Sequence, residues 1–224
     1  MPFVVYILIA LAAYLLGSIP TGFLVARAKG VDIRSVGSGN IGATNAMRAL
    51  GKPLGIFVLL MDVLKGFLAV YLAMKLFLLL YPFNPPATFF ARELKMWLDQ
   101  AFNHRIVAGI FVVLGHNYPC WLKFKGGKGI ATTAGVYLAL APLPLLIALV
   151  VFILALLTTR YVSVGSLSGA VALPAAVWIL PPHNLLLGIV TTLLGALAIY
   201  KHKSNIQRLM AGTENRFGKK KETK

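Results

Sequence analysis

The stretch Trp121–Thr133, WLKFKGGKGIATT, has the residue types of a phosphate-binding turn. Gly126, Gly127 and Gly129 have no Cβ, so the backbone can approach a ligand closely and adopt positive φ. Amide N–H groups that converge in such a turn attract anions, and so does the positive end of a helix predicted to begin just after it. Lys128 adds a point charge in the middle of the turn. We therefore predict phosphate binding here, the alternative being a basic turn that only flanks a membrane span.

This turn does not have the spacing of a nucleotide-binding P-loop. Gly129 follows Lys128 where the P-loop has Ser or Thr, and Leu122 occupies the position of its first glycine. We therefore do not expect ATP binding of that type.

A second polar stretch, Gly37–Asn45, matches the glycine spacing G-x-G-x-x-G. No strand precedes it and an apolar run flanks each side, so a dinucleotide site is rejected. What remains is a group of small hydrogen-bonding side chains followed by one arginine. A solvated loop explains this many hydrogen-bonding side chains less well than a ligand site does. We therefore predict that five residues contact a ligand: Ser38, Asn40, Thr44, Asn45 and Arg48.

A third polar stretch begins at His202 and ends near Glu214. If the segment is helical, His202 and Asn205 share a face, and Arg208 lies one turn further on. A histidine at a membrane exit is usually an interfacial residue. Close to two other polar segments, however, it is a candidate base or hydrogen-bond donor.

Two known arrangements of catalytic residues are missing from the sequence. No histidine is followed five positions later by aspartate, and no aspartate precedes a glycine as in paired Mg²⁺ sites. Hard metal ions need several oxygen ligands, and few carboxylates accompany the polar stretches. We predict a reaction that needs neither metal nor cofactor.

The elements that position these stretches are predicted to be membrane helices. Of 224 residues, 58% are hydrophobic and 12% are charged, and mean hydropathy is +0.81. Soluble domains carry about 25% charged residues. A net charge of +16 would suggest nucleic acid in a soluble protein. Here the charges flank apolar runs, so we expect membrane lipid as the partner, and no nucleic acid.

The apolar runs predict an all-α polytopic protein with about seven transmembrane helices in one domain, residues 1–224, with a basic tail from about residue 201. Pro20 should kink the first span, Asp62 and Lys65 should pair within the second, and Phe89–Asn103 should lie in the interface. The spans are approximately Phe3–Ala26, Leu54–Tyr81, Arg105–Pro119, Ile130–Ala141, Pro142–Thr159, Val162–Leu180 and Leu185–Tyr200. Ile130–Ala141 is short for a full crossing.

The distribution of basic residues predicts the orientation. With seven crossings, most of the 22 Lys and Arg residues fall on the side that holds the first loop and the tail. The positive-inside rule then places the N-terminus outside and the C-terminus in the cytoplasm. All three polar stretches would share the cytoplasmic face, as a single active site requires.

At these stretches the sequence resembles the bacterial acyl-phosphate:glycerol-3-phosphate acyltransferases, the PlsY family. The matching segments occur in the family's order and span most of the chain: GSIPTGFLVA, GSGNIGATNAMRALGK, MDVLKG, GHNYPCWLKFKGGKGIATT and HKSNIQRLMAGTE. The resemblance implies a protein of the bacterial cytoplasmic (inner) membrane with seven spans, and the distribution of basic residues places its active site on the cytoplasmic face. It implies transfer of a fatty acyl group from acyl phosphate to the 1-hydroxyl of glycerol 3-phosphate, giving lysophosphatidic acid and phosphate, the first acylation of phospholipid synthesis.

The resemblance also implies roles for particular residues. Ser38 and Arg48 match essential positions, and His202 and Asn205 match the catalytic third motif, which ends in an acid at Glu214. The glycines of the turn match a substrate phosphate site. We expect these glycines and Glu214 to bind substrate, together with residues chosen for their type and position, which are Lys128, Asn40, Thr44 and Asn45.

Two questions remain open from the sequence. Either His202 or the acceptor's own phosphate is expected to take the hydroxyl proton. The alternative function is a membrane transporter or exchanger of an organic phosphate, which would also use broken helices and basic residues but would place its site near the bilayer midplane.

Overall fold

A computed structural model describes residues 2–83 and 91–218, and in that part of the chain the regular structure is helical. A short 3₁₀ helix, Cys120–Leu122, lies between the fifth and sixth α-helices. The α-helices are α1 (Pro2–Gly17), α2 (Thr21–Ala28), α3 (Ala43–Leu50), α4 (Lys52–Leu80), α5 (Ala91–Asn117), α6 (Ile130–Leu140), α7 (Pro142–Thr159), α8 (Val162–Ile179), α9 (Leu185–Lys201) and α10 (Lys203–Met210). The all-α prediction is confirmed.

The described helices include four that are long and apolar enough to cross a membrane, or five if the bent pair α9–α10 is one span. The first candidate runs from Phe3 to Ala28, which joins α1 and α2 across the break at Pro20 predicted from the sequence. α6 has only 11 residues. The prediction of seven crossings, and the orientation that depends on it, stay predictions.

The chain forms two compact units, Met1–Leu140 and Ala141–Lys224. In the first unit, α4 packs against α1, α2, α3, α5 and α6. α4 and α6 are in close contact because glycines at the contact have no Cβ. A Cβ at Gly66 would overlap the carbonyl oxygen of Thr132, and a Cβ at Gly135 would overlap the carbonyl oxygen of Val63. α4 therefore supports both the first polar stretch and the glycine turn that leads into α6. In the second unit, α8 packs against α7 and α9.

The predicted pairing inside α4 is confirmed. Lys65 Nζ lies 2.8 Å from Asp62 Oδ1, and both side chains are almost fully buried.

One prediction about helix boundaries is wrong. The expected interfacial helix and the expected short span after it form a single helix, α5, of 27 residues, while residues 89 and 90 lie outside the described part. The polar run at its middle does not break it because His104 is buried. Its Nδ1 lies 2.7 Å from the carbonyl oxygen of Gln100, and the ring of Tyr6 stacks on it with centroids 3.9 Å apart.

Candidate functional site

The first polar stretch is folded around the side chain of Asn45. Asn45 Oδ1 accepts a hydrogen bond from the backbone N–H of Ser38 at 2.9 Å, and Nδ2 donates to the carbonyl oxygens of Ile33 and Val36 at 3.1 and 2.9 Å. Gly37 has φ +64° and no room for a Cβ against Asn45 Oδ1. These contacts indicate that Asn45, predicted to bind substrate, shapes the loop that presents Ser38.

The remaining residues of this stretch lie at the start of α3 and along it. Asn40 Oδ1 accepts a hydrogen bond from the N–H of Gly42 at 2.8 Å, so its side chain closes the turn before the helix. Thr44 and Arg48 are four residues apart on α3 and share one face of it. Arg48 is exposed and Ser38 is partly exposed, so a ligand can reach both.

The glycine turn uses its missing Cβ atoms mainly for packing. A Cβ at Gly126 would overlap the carbonyl oxygen of His116 and the ring of Pro119, and a Cβ at Gly127 would overlap the His116 ring. Of the three glycines only Gly129 has positive φ, at +82°. The freedom to adopt positive φ is therefore used at Gly129, whereas the missing Cβ atoms of Gly126 and Gly127 allow close packing.

Two amides of this turn point into the protein. The N–H of Gly126 donates to the carbonyl oxygen of Asn117 at 3.2 Å, and the N–H of Gly127 donates to the carbonyl oxygen of His116 at 3.0 Å. The phosphate-binding prediction therefore depends on Lys128 and on the N-terminal end of α6, which begins at Ile130. This arrangement still places a cation and a helix N-terminus side by side.

The third polar stretch is held together by the carboxylate of Glu214. It accepts hydrogen bonds from Asn205 Nδ2 at 2.8 Å, from Arg208 Nε at 2.7 Å and from Ser163 Oγ at 3.1 Å. Ser163, 51 residues away in α8, was not identified from the sequence, because a contact at that separation leaves no local pattern. Glu214 thus fixes α10 against α8, and the amide nitrogen of Asn205 is directed to it.

His202 lies where α9 ends and α10 begins, and it is buried. Its Nδ1 lies 2.7 Å from the carbonyl oxygen of Ala198. Because a carbonyl oxygen only accepts, Nδ1 carries the hydrogen. In the neutral ring, Nε2 is then the atom with the basic lone pair.

The pKa of Glu214 is lowered. Burial raises it, but the hydrogen bonds from Asn205 and Arg208, the charge of Arg208 and the bond from Ser163 together outweigh burial. The folded state therefore favours the ionised carboxylate.

We expect Glu214→Gln to lower the free energy of unfolding by about 1–3 kcal/mol at neutral pH, because Arg208 loses its charged partner. The carboxylate's contribution is present above the pKa it has in the unfolded chain and is lost as pH falls through the lowered folded pKa. Thermal melts of both proteins in detergent should therefore converge under acid conditions. Asp99→Asn, which removes an exposed partner of Lys95, is the control and should change stability by less than about 0.5 kcal/mol. A difference between wild type and Glu214→Gln that persisted unchanged into acid would contradict this account of the cluster.

The candidate residues fall in both compact units. Ser38, Arg48 and Lys128 belong to the first, whereas His202, Asn205 and Glu214 belong to the second. That the three stretches act on the same substrates stays a prediction. In residues 2–83 and 91–218 there is no group of three or more His, Cys, Asp or Glu residues that could hold a metal ion.

Comparison with known proteins finds one family over nearly the whole chain. The model of the family described as glycerol-3-phosphate acyltransferase matches residues 7–212, which include the first polar stretch, the glycine turn and the third polar stretch as far as Gly212. The chain is 46% identical over 211 residues to a glycerol-3-phosphate acyltransferase of Geobacter sulfurreducens, covering 94% of this chain and 97% of that protein. It is 43% identical over 211 residues to one of Geotalea daltonii, covering 94% and 97%.

Two solved structures have the same fold. Both are crystal structures of PlsY, an integral membrane glycerol 3-phosphate acyltransferase. The glycerol 3-phosphate form has a TM-score of 0.81 and 37% identity, covering 95% of this chain and 96% of the other. The lysophosphatidic acid form has a TM-score of 0.78 and 36% identity, covering 95% of each chain.

Proposed function

We propose, from the premise that this chain belongs to the glycerol-3-phosphate acyltransferase family, that it uses acyl phosphate as its acyl donor. The chain is an integral membrane acyltransferase of phospholipid synthesis, and it converts glycerol 3-phosphate to lysophosphatidic acid. Family membership favours this activity over the transporter interpretation. The observation that carries the proposal is that the family match, residues 7–212, includes the first polar stretch, the glycine turn and the third polar stretch as far as Gly212.

The residues of the candidate site suit a donor that carries phosphate. Acyl phosphate is a mixed anhydride whose leaving group is inorganic phosphate, so the protein does not need a strong acid to protonate it. Both reactants then bear phosphate, and the polar stretches offer Arg48 and Lys128 as cations to bind it. These stretches have no catalytic pair of carboxylates. What the protein must supply is alignment of the reactants and stabilisation of the developing oxyanion.

The reaction that we propose is a direct transfer. The 1-hydroxyl oxygen of glycerol 3-phosphate attacks the carbonyl carbon of the acyl phosphate, and the hydroxyl proton passes to a base. The tetrahedral adduct then breaks its bond to the phosphate oxygen, which leaves as inorganic phosphate. Ser38 hydrogen-bonds a reactant in this scheme and forms no acyl-serine, whereas Arg48 and Lys128 hold phosphate oxygens and offset the developing charge.

The proton acceptor is either His202 or the acceptor's own phosphate. His202 suits the role in its tautomer, since the bond from Nδ1 to Ala198 leaves the basic lone pair on Nε2. General-base assistance is typically worth about 10²–10⁴-fold in rate.

We expect His202→Ala to lower kcat within that range if His202 is the base. A variant that retained near-full turnover would leave the substrate phosphate as the base. His183→Ala, in the connector between α8 and α9, is the matched control and should keep wild-type turnover.

The donor is tested with purified protein in detergent, supplied with glycerol 3-phosphate and with palmitoyl phosphate, palmitoyl-CoA or palmitoyl acyl carrier protein. We expect lysophosphatidic acid and phosphate in equal amounts from palmitoyl phosphate alone, and the same rate with a metal chelator present. Product from either thioester at a comparable rate would refute the proposed donor. Loss of activity in the chelator would refute metal independence.

We further propose that the protein lies in a bacterial cytoplasmic membrane with its active site facing the cytoplasm. The concentration of Lys and Arg in the first loop, the glycine turn and the tail supports this orientation. Modification of Lys128 by a membrane-impermeant amine reagent should require permeabilised cells. Modification in intact cells would reverse the orientation.

A further inference from the structure

Three ionisable side chains are buried around one carboxylate oxygen in the first unit. Asp62 Oδ1 lies 2.8 Å from Lys65 Nζ and 3.5 Å from His116 Nδ1. Their exposed fractions are only 2%, 5% and 6%. We call Asp62, Lys65 and His116 the charge cluster. Apolar residues often fill such a position at no cost in stability, because burying charges requires desolvation. Packing alone therefore does not account for these residue types.

One arm of the charge cluster reaches the glycine turn through His116. The carbonyl oxygen of His116 accepts the hydrogen bond from the N–H of Gly127 at 3.0 Å. The imidazole itself packs directly against Gly127, where a Cβ would overlap Nε2. Backbone and ring of one residue thus form the surface on which the turn before Lys128 rests. Asp62, which faces the other ring nitrogen, sets the orientation of that ring.

The other arm reaches the first polar stretch through Lys65. Lys65 Nζ donates to the carbonyl oxygen of Ile19 at 3.1 Å, in the break between α1 and α2. Two residues into α2, Gly22 packs so closely on the first polar stretch that a Cβ would overlap the carbonyl oxygen of Ile41. The cluster residues and Ile41 also line one narrow crevice, together with Ser18. The same buried carboxylate is therefore linked to both predicted phosphate-binding connectors of this unit.

We infer that the charge cluster positions these two connectors for substrate binding: it holds the turn around Lys128 and the stretch around Ile41 in the relative geometry that phosphate binding requires. The inference rests on the proposed function and adds three positioning residues to it. None of the three needs to touch substrate. A displacement of about 1 Å at a reacting group can cost about 100-fold in rate, so small shifts of the turn should be measurable.

A purely structural role would have a different kinetic signature. Loss of folded protein lowers the amount of active enzyme, hence apparent kcat, but leaves KM unchanged for the molecules that remain folded. A displaced phosphate-binding turn raises KM for the substrate that it holds. His104 is a matched control, because it lies on α5 with His116 and is also buried, yet it contacts the carbonyl oxygen of Gln100 and a group of aromatic rings.

The experiment compares His116→Gln, Asp62→Asn and His104→Gln in the acyl phosphate assay, with melting temperature measured on each sample. We expect the first two to raise KM for glycerol 3-phosphate or for acyl phosphate by about 10- to 100-fold. His104→Gln should leave both KM values within about twofold. Asp62→Asn alone leaves the buried Lys65 ammonium without its carboxylate and can therefore fail to fold. The double variant Asp62→Asn/Lys65→Met is included because it removes both charges of the pair. The double variant should show the same rise in KM.

A double-mutant cycle adds a readout that folding alone would not give. Gly127→Ala should lower kcat/KM by at least tenfold, because its methyl group overlaps the His116 ring. In His116→Ala/Gly127→Ala the ring is absent, so the glycine change should cost less than half of that fold-change. The inference would be overturned if the loss of kcat/KM in the double variant equalled the product of the losses in the two single variants. It would also be overturned by unchanged KM values in the His116 and Asp62 variants. A wild type inactive with acyl phosphate would instead refute the proposed donor.

Discussion

Arg48→Ala should lower kcat/KM by about 100- to 1,000-fold while leaving the melting temperature almost unchanged. Arg48 lies in the last turn of α3 and is exposed, so truncating it removes little packing. Exposed substitutions usually change stability by less than about 0.5 kcal/mol. A preorganised donor that stabilises the developing charge of an acyl transfer, however, is typically worth about 100- to 1,000-fold in rate. Kinetics and a thermal melt on the same sample therefore separate a loss of catalysis from a loss of stability.

The control for this experiment is Arg34→Ala. Arg34 lies between α2 and α3 and is also exposed, and its guanidinium forms an ion pair with Asp32, with Nε 3.0 Å from Oδ1. We expect its kcat/KM to stay within about threefold of wild type, since exposed ion pairs contribute little. Arg48→Lys should recover only part of the activity, because an ammonium cannot form the paired hydrogen bonds of a guanidinium. Equal losses of kcat/KM in Arg34→Ala and Arg48→Ala would contradict the assignment of Arg48 to the site.

Gly126→Ala should lower kcat/KM by about 100-fold or more. The added methyl group would overlap the backbone carbonyl oxygen of His116 and the ring of Pro119, neither of which can turn aside as the end of a flexible side chain can. The turn must therefore move, and Lys128, two residues further on, moves with it.

Gly169→Ala is the matched control for Gly126→Ala. Its Cβ would meet its nearest neighbour, the carbonyl oxygen of Ala148, at 3.5 Å, which is an ordinary contact. The substitution should leave activity unchanged and raise helix stability slightly, since alanine is the better helix former. Wild-type activity in Gly126→Ala would show that the turn does not need the geometry described here.

The sequence was sufficient to predict the helical class, the break at Pro20 and the pairing of Asp62 with Lys65, because each follows from local rules. Apolar run length predicts a membrane helix, proline removes a backbone hydrogen bond, and two charges three residues apart share a helix face. The continuity of α5 could not be predicted in this way. It depends on burial of His104 under Tyr6, which lies 98 residues earlier, and a hydropathy pattern does not contain that contact.

The candidate site shows the same division. Ser38, Arg48 and Lys128 were identified from residue type and from the family resemblance. The structure adds how the connectors are built: Asn45 organises the first, and Ser163 and Glu214 brace the third. It also shows that the amides of Gly126 and Gly127 bind carbonyl oxygens of α5, whereas the sequence pattern alone suggested that they face an anion. Long-range contacts decide these roles, and spacing along the chain does not reveal them.

The central claim is that Arg48 and Lys128 bind the phosphate groups of the reactants. It is tested most directly by equilibrium binding of glycerol 3-phosphate and of a non-hydrolysable acyl phosphonate to purified wild type, Arg48→Ala, Lys128→Ala and Lys95→Ala, an exposed lysine of α5 paired with Asp99. We predict that the Arg48 and Lys128 variants each lose at least about tenfold in affinity for one of the two ligands, as expected for a charge-assisted hydrogen bond worth about 1.5–3 kcal/mol. The Lys95 variant should bind both as wild type does. Wild-type affinity for both ligands in all three variants would contradict the claim.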